Sequence, residues 1–422
     1  MNRLLFVVRS FSGSGAQPIR FRQILNYLRT EFDVHVLELT HYKGGERKDN
    51  GITVHSLEYT KAGRIINRPA TGFDNSSQSK VRKGKPLLLL KRFIRAILFP
   101  DSLITEAPGL RREVLRLAGE LKCEAVTVSA FPFTTIICLK DIKQKLGIKT
   151  ILDVGDPFYK NSKNGYVKDL IARMFEKRYL KYTDILVVTN TLTRDHYLNS
   201  FPESLRPDQL RIIPMGVSET FLSAIRKSNN EENALGDKSQ FSLFYAGQLY
   251  RRMREPFELY RAVTEITKDD SLPKVRLDMY GSFNKGFVAG FENSGSVFFH
   301  GHIRHENLPE IYRKADAIVF IDNAYGMQTP GKIFEIALTG KPVLFISDRK
   351  HSPAFEVIKD LDHFVVTENK SEKIISAIRK VITDTTGSHQ PSLPAGNFLW
   401  EARAAQYKQI FTEILTEQES KT

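Results

Sequence analysis

The chain has 422 residues, 41% of them hydrophobic, and 62 Lys and Arg against 48 Asp and Glu give a formal net charge of +14. That length suits two domains rather than one, and the two cysteines, Cys123 and Cys138, are too few for a disulfide framework or a zinc site and favour a reducing compartment. The positive charge attracts an anionic partner without choosing among nucleic acid, phosphorylated small molecules and an acidic bilayer surface.

The N-terminal "MNRLLFVVRS" holds an apolar run, Leu4 to Val8, closed by Arg9, which is too short for a signal peptide and predicts a first buried strand. No window reaches the roughly eighteen apolar residues that a membrane-spanning helix needs. Next comes "RSFSGSGAQPIRFRQILNYL", a strand end, a loop with Gly13 and Gly15, and a helix beginning around Pro18. The small residues allow either a tight turn or a close approach of backbone N–H groups to an anion. The spacing is not a full dinucleotide fingerprint, and no acid follows at the ribose position.

From Asn75 to Pro100 there are seven Lys or Arg residues and no acid. Leu90, Phe93, Ile94, Ile97 and Leu98 follow a helical spacing, with Lys91, Arg92 and Arg95 opposite. This pattern fits a basic amphipathic helix on anionic lipid, or a solvated helix packed on its own domain.

Strand-like runs then alternate with helical ones, which predicts βα units, a parallel sheet covered by helices, and ligands beyond the carboxyl ends of the strands. In "ILDVGDPF" Asp153 and Asp156 flank Gly155 at such an end. Asp156 is the candidate acid for acceptor hydroxyls or proton transfer; the alternative has Asp156 capping a turn and Asp153 paired with a cation. The polar stretch Ser223 to Gln240 is expected to link the two domains. The expected organisation is an N-terminal domain over 1–222, a linker over 223–240, a C-terminal domain over 241–396 and a closing helix within 397–422.

In the C-terminal half "FYAGQLYRRMREPFELYRAV" places a strand, Phe241 to Ala246, before Gly247 and a loop with Arg251, Arg252 and Arg254, and a helix opens near Pro256. Guanidinium forks at a strand-to-helix junction suit a diphosphate. In "FFHGHIRHENLPEIY" the spacing of His300, His302 and His305 matches no common zinc pattern; a turn that meets the edge of a base is the better functional reading.

In "GMQTPGKIFEIALTGKPVLFI" Thr329 suits an N-cap, Pro330 a first helical position and Gly340 a stop. Lys332 and Glu335 share the edge left by an apolar arc. A cation in a first turn costs up to about 1 kcal/mol unless an anion lies nearby, and Glu335 one turn later suits vicinal hydroxyls. The plain alternative is a Lys–Glu pair worth a few tenths of a kcal/mol.

Together these segments resemble the GT-B-fold retaining glycosyltransferases, in particular glycosyltransferase family four, which includes bacterial polysaccharide and lipopolysaccharide enzymes. The resemblance runs through "FPDSL", "ILDVGDPF", "YTDILVVTNTLTRDHYLNSF", "FYAGQLYRRMREP", "GHIRHENLPEIYRKADAIVFI" and "TPGKIFEIALTGKPVLFI". It implies an α/β protein with two doubly wound Rossmann-like domains facing a cleft, and transfer with retention from a nucleoside diphosphate sugar to a glycan or glycolipid hydroxyl in cell-surface polysaccharide synthesis. By this resemblance Glu335 holds the donor ribose, Lys332, Arg252 and Arg254 beyond Gly247 the diphosphate, and the turn at His302 and Ile303 the base. Gly13 to Gly15 close over the phosphates, and the loop Gly326, Met327, Gln328 and Thr329 offers backbone donors.

No cofactor or metal is implied, nor a nucleic-acid partner; the expected place is the cytoplasm, on the inner face of the cell membrane if the basic segment binds lipid. The sequence departs from the family at Met327, where its first glutamate stands, at Gln248 and Met253 in the basic loop, and at Met215. These departures leave an inactive scaffold in a polysaccharide assembly complex as the alternative.

Overall fold

A computed structural model describes residues 1–13, 15–40, 44–67, 98–161, 165–230, 239–384 and 395–419. Most of the basic segment read from Asn75 to Pro100 therefore lies outside the described residues. The chain forms two compact units, one of Met1–Pro214 with Glu401–Thr422, the other of Met215–Trp400.

The first unit carries eight strands: β1 (Arg3–Val8), β2 (Asp33–Thr40), β3 (Gly45–Asp49), β4 (Ile52–Glu58), β5 (Ala125–Ser129), β6 (Lys149–Val154), β7 (Ile185–Val188) and β8 (Leu210–Ile212). Their order is β3-β4-β2-β1-β5-β6-β7-β8, parallel throughout except for the edge pair of β3 and β4. Helices cover both faces, so the central strands are continuous apolar runs rather than alternating ones; Leu4 to Val8 and all of β5 are buried.

Helix α1 (Ala16–Leu28) turns Phe21, Ile24, Leu25 and Leu28 inward, and α2 (Ala107–Glu120) does so with Leu110, Val114 and Leu117. Helices α3 (Tyr166–Leu180) and α4 (Thr191–Ser200) follow β6 and β7. The last helix of the chain, Trp400–Glu419, also packs on this sheet: Phe411 meets Phe6 and Phe32 with ring centroids 6.0 and 5.7 Å apart.

The second unit carries β9 (Gln240–Ala246), β10 (Lys274–Tyr280), β11 (Val297–Gly301), β12 (Ala317–Ile321), β13 (Val343–Ile346) and β14 (Phe364–Thr367), in the order β11-β10-β9-β12-β13-β14 and all parallel. One face is covered by α6 (Phe257–Ile266) and α9 (Ser371–Asp384) through Leu259, Val263, Ile374 and Ile378. The other is covered by α5 (Glu219–Asn230), α7 (Leu308–Lys314) and α8 (Lys332–Ala337) through Phe221, Leu308, Tyr312, Ile333 and Phe334. The closing helix, α10, is Trp400–Glu419.

The structure differs from the sequence reading at three boundaries. The units part at Pro214/Met215 rather than near 222, because Phe221 and Leu222, just before the polar stretch, and Ile225 within it are buried in the second unit's core. Residues 219–230 are helical, a helix that runs from the expected first domain into the span expected as a linker, 223–240. Helix α8 begins at Lys332 with Gly331 as N-cap: the Pro330 carbonyl accepts the N–H of Ile333 in a tighter turn, so Thr329 and Pro330 precede the helix. No helix among the described residues is long and apolar enough to cross a membrane.

Candidate functional site

In the second unit the strand order reverses between β9 and β12, and the chain leaves their carboxyl ends in opposite directions, opening a crevice there. The backbone leaving β9 is held close. Gly247 donates to the Tyr280 carbonyl at 2.9 Å and Gly281 to the Gly301 carbonyl at 2.7 Å. A Cβ on Gly281 would lie 2.1 Å from the Gly247 carbonyl oxygen, and one on Gly247 would lie 2.9 Å from the Tyr245 hydroxyl. Only bare backbone fits at these two points.

Beyond Gly247, Tyr250 and Arg254 exchange backbone hydrogen bonds of 3.2 and 2.8 Å, making a tight turn with Arg252 at φ +63°. The Arg252 N–H bonds Glu255 Oε1 at 2.8 Å, and its side chain is exposed. Arg254 turns inward. Its Nη2 donates to Asn323 Oδ1 at 2.7 Å and its Nη1 to the Gln248 carbonyl at 3.3 Å, while its buried Nε has no acceptor.

The loop after β12 is fixed from below. Asp322 Oδ1 accepts the Asn323 N–H at 2.7 Å and Oδ2 accepts from Ser347 Oγ at 3.0 Å. The Ala324 N–H reaches the Met253 carbonyl at 2.8 Å, so the two loops flanking the crevice are tied together.

Lys332, the first residue of α8, donates from Nζ to the Ala246 carbonyl at the end of β9, at 3.1 Å. Burial lowers the pKa of its ammonium; Glu335 opposes that effect and Arg254 adds to it. Glu335 is not engaged with Lys332 as a simple pair. Its Oε1 is 2.7 Å from His305 Nε2, and its Oε2 is buried without a partner. The His305 ring stacks on Phe221 with centroids 5.3 Å apart, and its hydrogen bond to Glu335 raises the imidazole pKa against the opposing effect of burial.

The remaining expected residues of this unit surround these. His302 is exposed beyond Gly301, which sits at φ +76°, and Ile303 packs into the core beside them. Gly326 has φ +96°; Met327 is half-buried, Gln328 exposed and Thr329 buried. The three histidines do not converge: His300 bonds Asp278 at 2.5 Å and stacks on Tyr280, while His305 serves Glu335.

Gly13, Gly15 and Asp156 lie in the first unit, at the carboxyl ends of β1 and β6. The loop of Gly13 is braced by its own unit: Arg22 donates to the Gly13 carbonyl at 2.7 Å, and Glu38 accepts the Phe11 N–H at 2.7 Å. Gly15 is the N-cap of α1, extended and without a capping side chain. Asp153 is a buried structural partner, 3.1 Å from Arg20 and hydrogen-bonded by the Tyr407 hydroxyl.

Asp156 is half-buried on a loop whose backbone is pinned by Glu176, a residue that sequence reasoning missed. Glu176 accepts the N–H groups of Phe158 and Tyr159 at 3.2 and 2.8 Å and the Tyr197 hydroxyl at 2.6 Å. Burial pushes its carboxyl pKa up to about 7, against these three hydrogen bonds. Asn323, the partner of Arg254, was also missed, and sequence reasoning places His305 within a base-binding turn rather than as the partner of Glu335.

The crevice of the second unit therefore presents unsatisfied N–H donors on a guanidinium, an ammonium and an open carboxylate oxygen. Such a set suits a ligand that carries both an anion and hydroxyl groups.

Residues 240–384 match the family model described as "Glycosyl transferases group 1". No match was found among curated proteins. Among solved structures, the chain is similar to sucrose-phosphate synthase from Thermosynechococcus elongatus, at 15% identity and TM-score 0.67, over 99% of this chain and 100% of that one. It is similar to the Anabaena protein HepE in complex with UDP, at 16% identity and TM-score 0.56, over 100% of both chains. An E. coli trehalose-6-phosphate protein bound with UDP-2-fluoro glucose matches at 11% identity and TM-score 0.59, over 98% of this chain and 96% of that one. These likenesses give the chain the GT-B fold.

Proposed function

We propose that the chain transfers a sugar from a nucleoside diphosphate sugar to a hydroxyl of a glycan or glycolipid, with retention at the anomeric carbon, in cell-surface polysaccharide synthesis on the cytoplasmic side of the membrane. The observation that carries this reading is the pair of unsatisfied buried atoms beside the crevice, Arg254 Nε and Glu335 Oε2. A buried polar atom without a partner costs about 1–3 kcal/mol, and a bound ligand removes that cost.

In this reading Glu335 Oε2 accepts a ribose hydroxyl, and Lys332, Arg254 and the exposed Arg252 face the diphosphate. The charge that develops on the leaving nucleotide is offset by these cations. The turn at His302 and Ile303 meets the base, and the loop Gly326–Thr329 offers N–H groups to the sugar phosphate. Asp156 takes the acceptor side. The group 1 domain over 240–384 and the UDP and UDP-sugar ligands named for the structural neighbours support a nucleotide-sugar donor.

The test is a thermal-shift screen of nucleoside diphosphates and their sugars, followed by product analysis with the sugar that binds. A ligand at a hundred times its dissociation constant stabilises the fold by about 2.7 kcal/mol. A shift that Glu335→Ala abolishes while the free variant still folds and melts cooperatively supports the assignment. Collapse of the free variant would make Glu335 structural, and an inverted anomeric product would remove retention.

A further inference from the structure

Helix α3, Tyr166–Leu180, presents the wrong face to solvent. A surface helix ordinarily buries its apolar stripe, yet Tyr166, Val167, Leu170, Ile171 and Met174 are 87%, 69%, 53%, 43% and 67% exposed. At about 100° per residue they fall within one arc of about 140°. The residues that α3 does bury are Ala172, Leu180 and the carboxylate of Glu176. Contiguous exposed apolar surface of this kind marks an interaction site.

The exposed charges of the helix itself have one sign. Lys168, Arg173, Lys177, Arg178 and the adjoining Lys181 are exposed. The acids of the helix are withdrawn: Asp169 is half-buried and accepts the Lys160 N–H at 3.0 Å, and Glu176 is buried. Glu203, an exposed acid from the loop after α4, pairs with Lys177. Underneath, Phe175 packs at 5.4 Å from Phe99, in the described end of the basic segment for which lipid binding is one of two readings.

We propose that this face of α3 seats the protein on an anionic bilayer surface, with the apolar arc in the headgroup boundary and the basic side chains on the lipid phosphates. Apolar centre and cationic rim are the two components of interfacial helix binding. A second copy of the chain would bring the same cations against each other, so self-association through this face is electrostatically opposed. The face stands on the connection from β6 that also carries Asp156, and a lipid-linked acceptor would arrive on that side. The proposal does not depend on the donor chemistry in the second unit.

The test is co-sedimentation of the full chain with vesicles of phosphatidylcholine alone and of phosphatidylcholine with phosphatidylglycerol. Binding is expected to the anionic vesicles only. The double variant Leu170→Glu and Met174→Glu should lose nearly all of it, and Arg173→Glu should weaken it by at least about fivefold, both with the melting point of the parent because the sites are exposed. In Met174→Trp the added indole should emit as an exposed group in buffer and shift to the blue on adding anionic vesicles. Binding by the double variant equal to the parent, or no blue shift, would place lipid contact elsewhere and overturn the proposal. Blue emission of the added indole before vesicles are added, read as the difference from the parent with its buried Trp400, or a dimer that the double variant dissolves, would show the face covered by the chain itself or by a second copy, and would equally overturn it.

Discussion

Glu335 divides its two oxygens: Oε1 lies 2.7 Å from His305 Nε2, and Oε2 is buried with no hydrogen-bond partner. One oxygen is held by the imidazole, and the other is the one that the proposed function gives to a ribose hydroxyl. The pairing has a pH signature. The His305 pKa is raised by Glu335, so the stability contributed by the charged pair is fully present below the usual imidazole value of about 6.5 and is lost as pH rises through the raised value. Melting points of the parent and of Glu335→Gln should differ most at low pH and converge above that value. A constant difference across the range would show that His305 stays neutral.

Lys332 pulls in the opposite direction. Its folded pKa is lowered by burial, so the charged ammonium costs stability in the free protein; in the proposed site a diphosphate offsets that cost. Lys332→Met should melt at or above the parent temperature and bind a nucleoside diphosphate about ten- to a hundredfold more weakly. Isothermal titration decides it, and a destabilised variant with unchanged affinity would assign Lys332 to structure through its bond to Ala246.

The backbone contact between Gly281 and Gly247 is a second handle on the crevice. Gly281→Ala puts a methyl 2.1 Å from a carbonyl oxygen, which forces the loop after β9 to move at a cost of about 1–3 kcal/mol. Gly290→Ala, at φ +87° with open space around it, supplies the comparison: backbone strain of about 1 kcal/mol and no effect at the crevice. Nucleotide affinity should fall only in the first, and equal losses in the two would show that the close approach does not shape the site.

In the first unit, Asp153 neutralises the buried Arg20 guanidinium and accepts the Tyr407 hydroxyl. Asp153→Ala strands a buried cation and should cost about 3–5 kcal/mol, whereas Tyr407→Phe removes one hydrogen bond and should cost about 1–3 kcal/mol. Urea unfolding followed by a first-unit probe orders the two. The reverse order would mean that the carbonyls of Ile213 and Pro214 alone satisfy Arg20.

Where function meets sequence, legibility followed distance along the chain. The strand before Gly247 and the helix opening at Pro256 were readable because their signals are local: an apolar run, a glycine and a proline at an N-cap. The wheel that set Lys332 and Glu335 apart from Ile333, Phe334, Ile336 and Ala337 likewise needs only one turn of helix. The partners were not readable, because His305 and Asn323 come from other connections and only the sheet brings them in. Arg20 did leave a trace: it stands four residues before Ile24 on the buried stripe of α1, a position where a cation implies a buried acid. The unit boundary was misplaced because polarity marks solvent rather than domain membership, and Phe221 and Ile225 were the local evidence against it.

The chain closes the second unit on itself before finishing the first. Val217 donates to Phe398 at 2.8 Å and accepts from Trp400 at 3.1 Å, so the two ends of Met215–Trp400 meet, while Tyr407 and Phe411 still belong to the core of Met1–Pro214. The first unit is complete only once Trp400–Glu419 has been made, so a truncation that removes this helix strikes the half of the protein that is translated first.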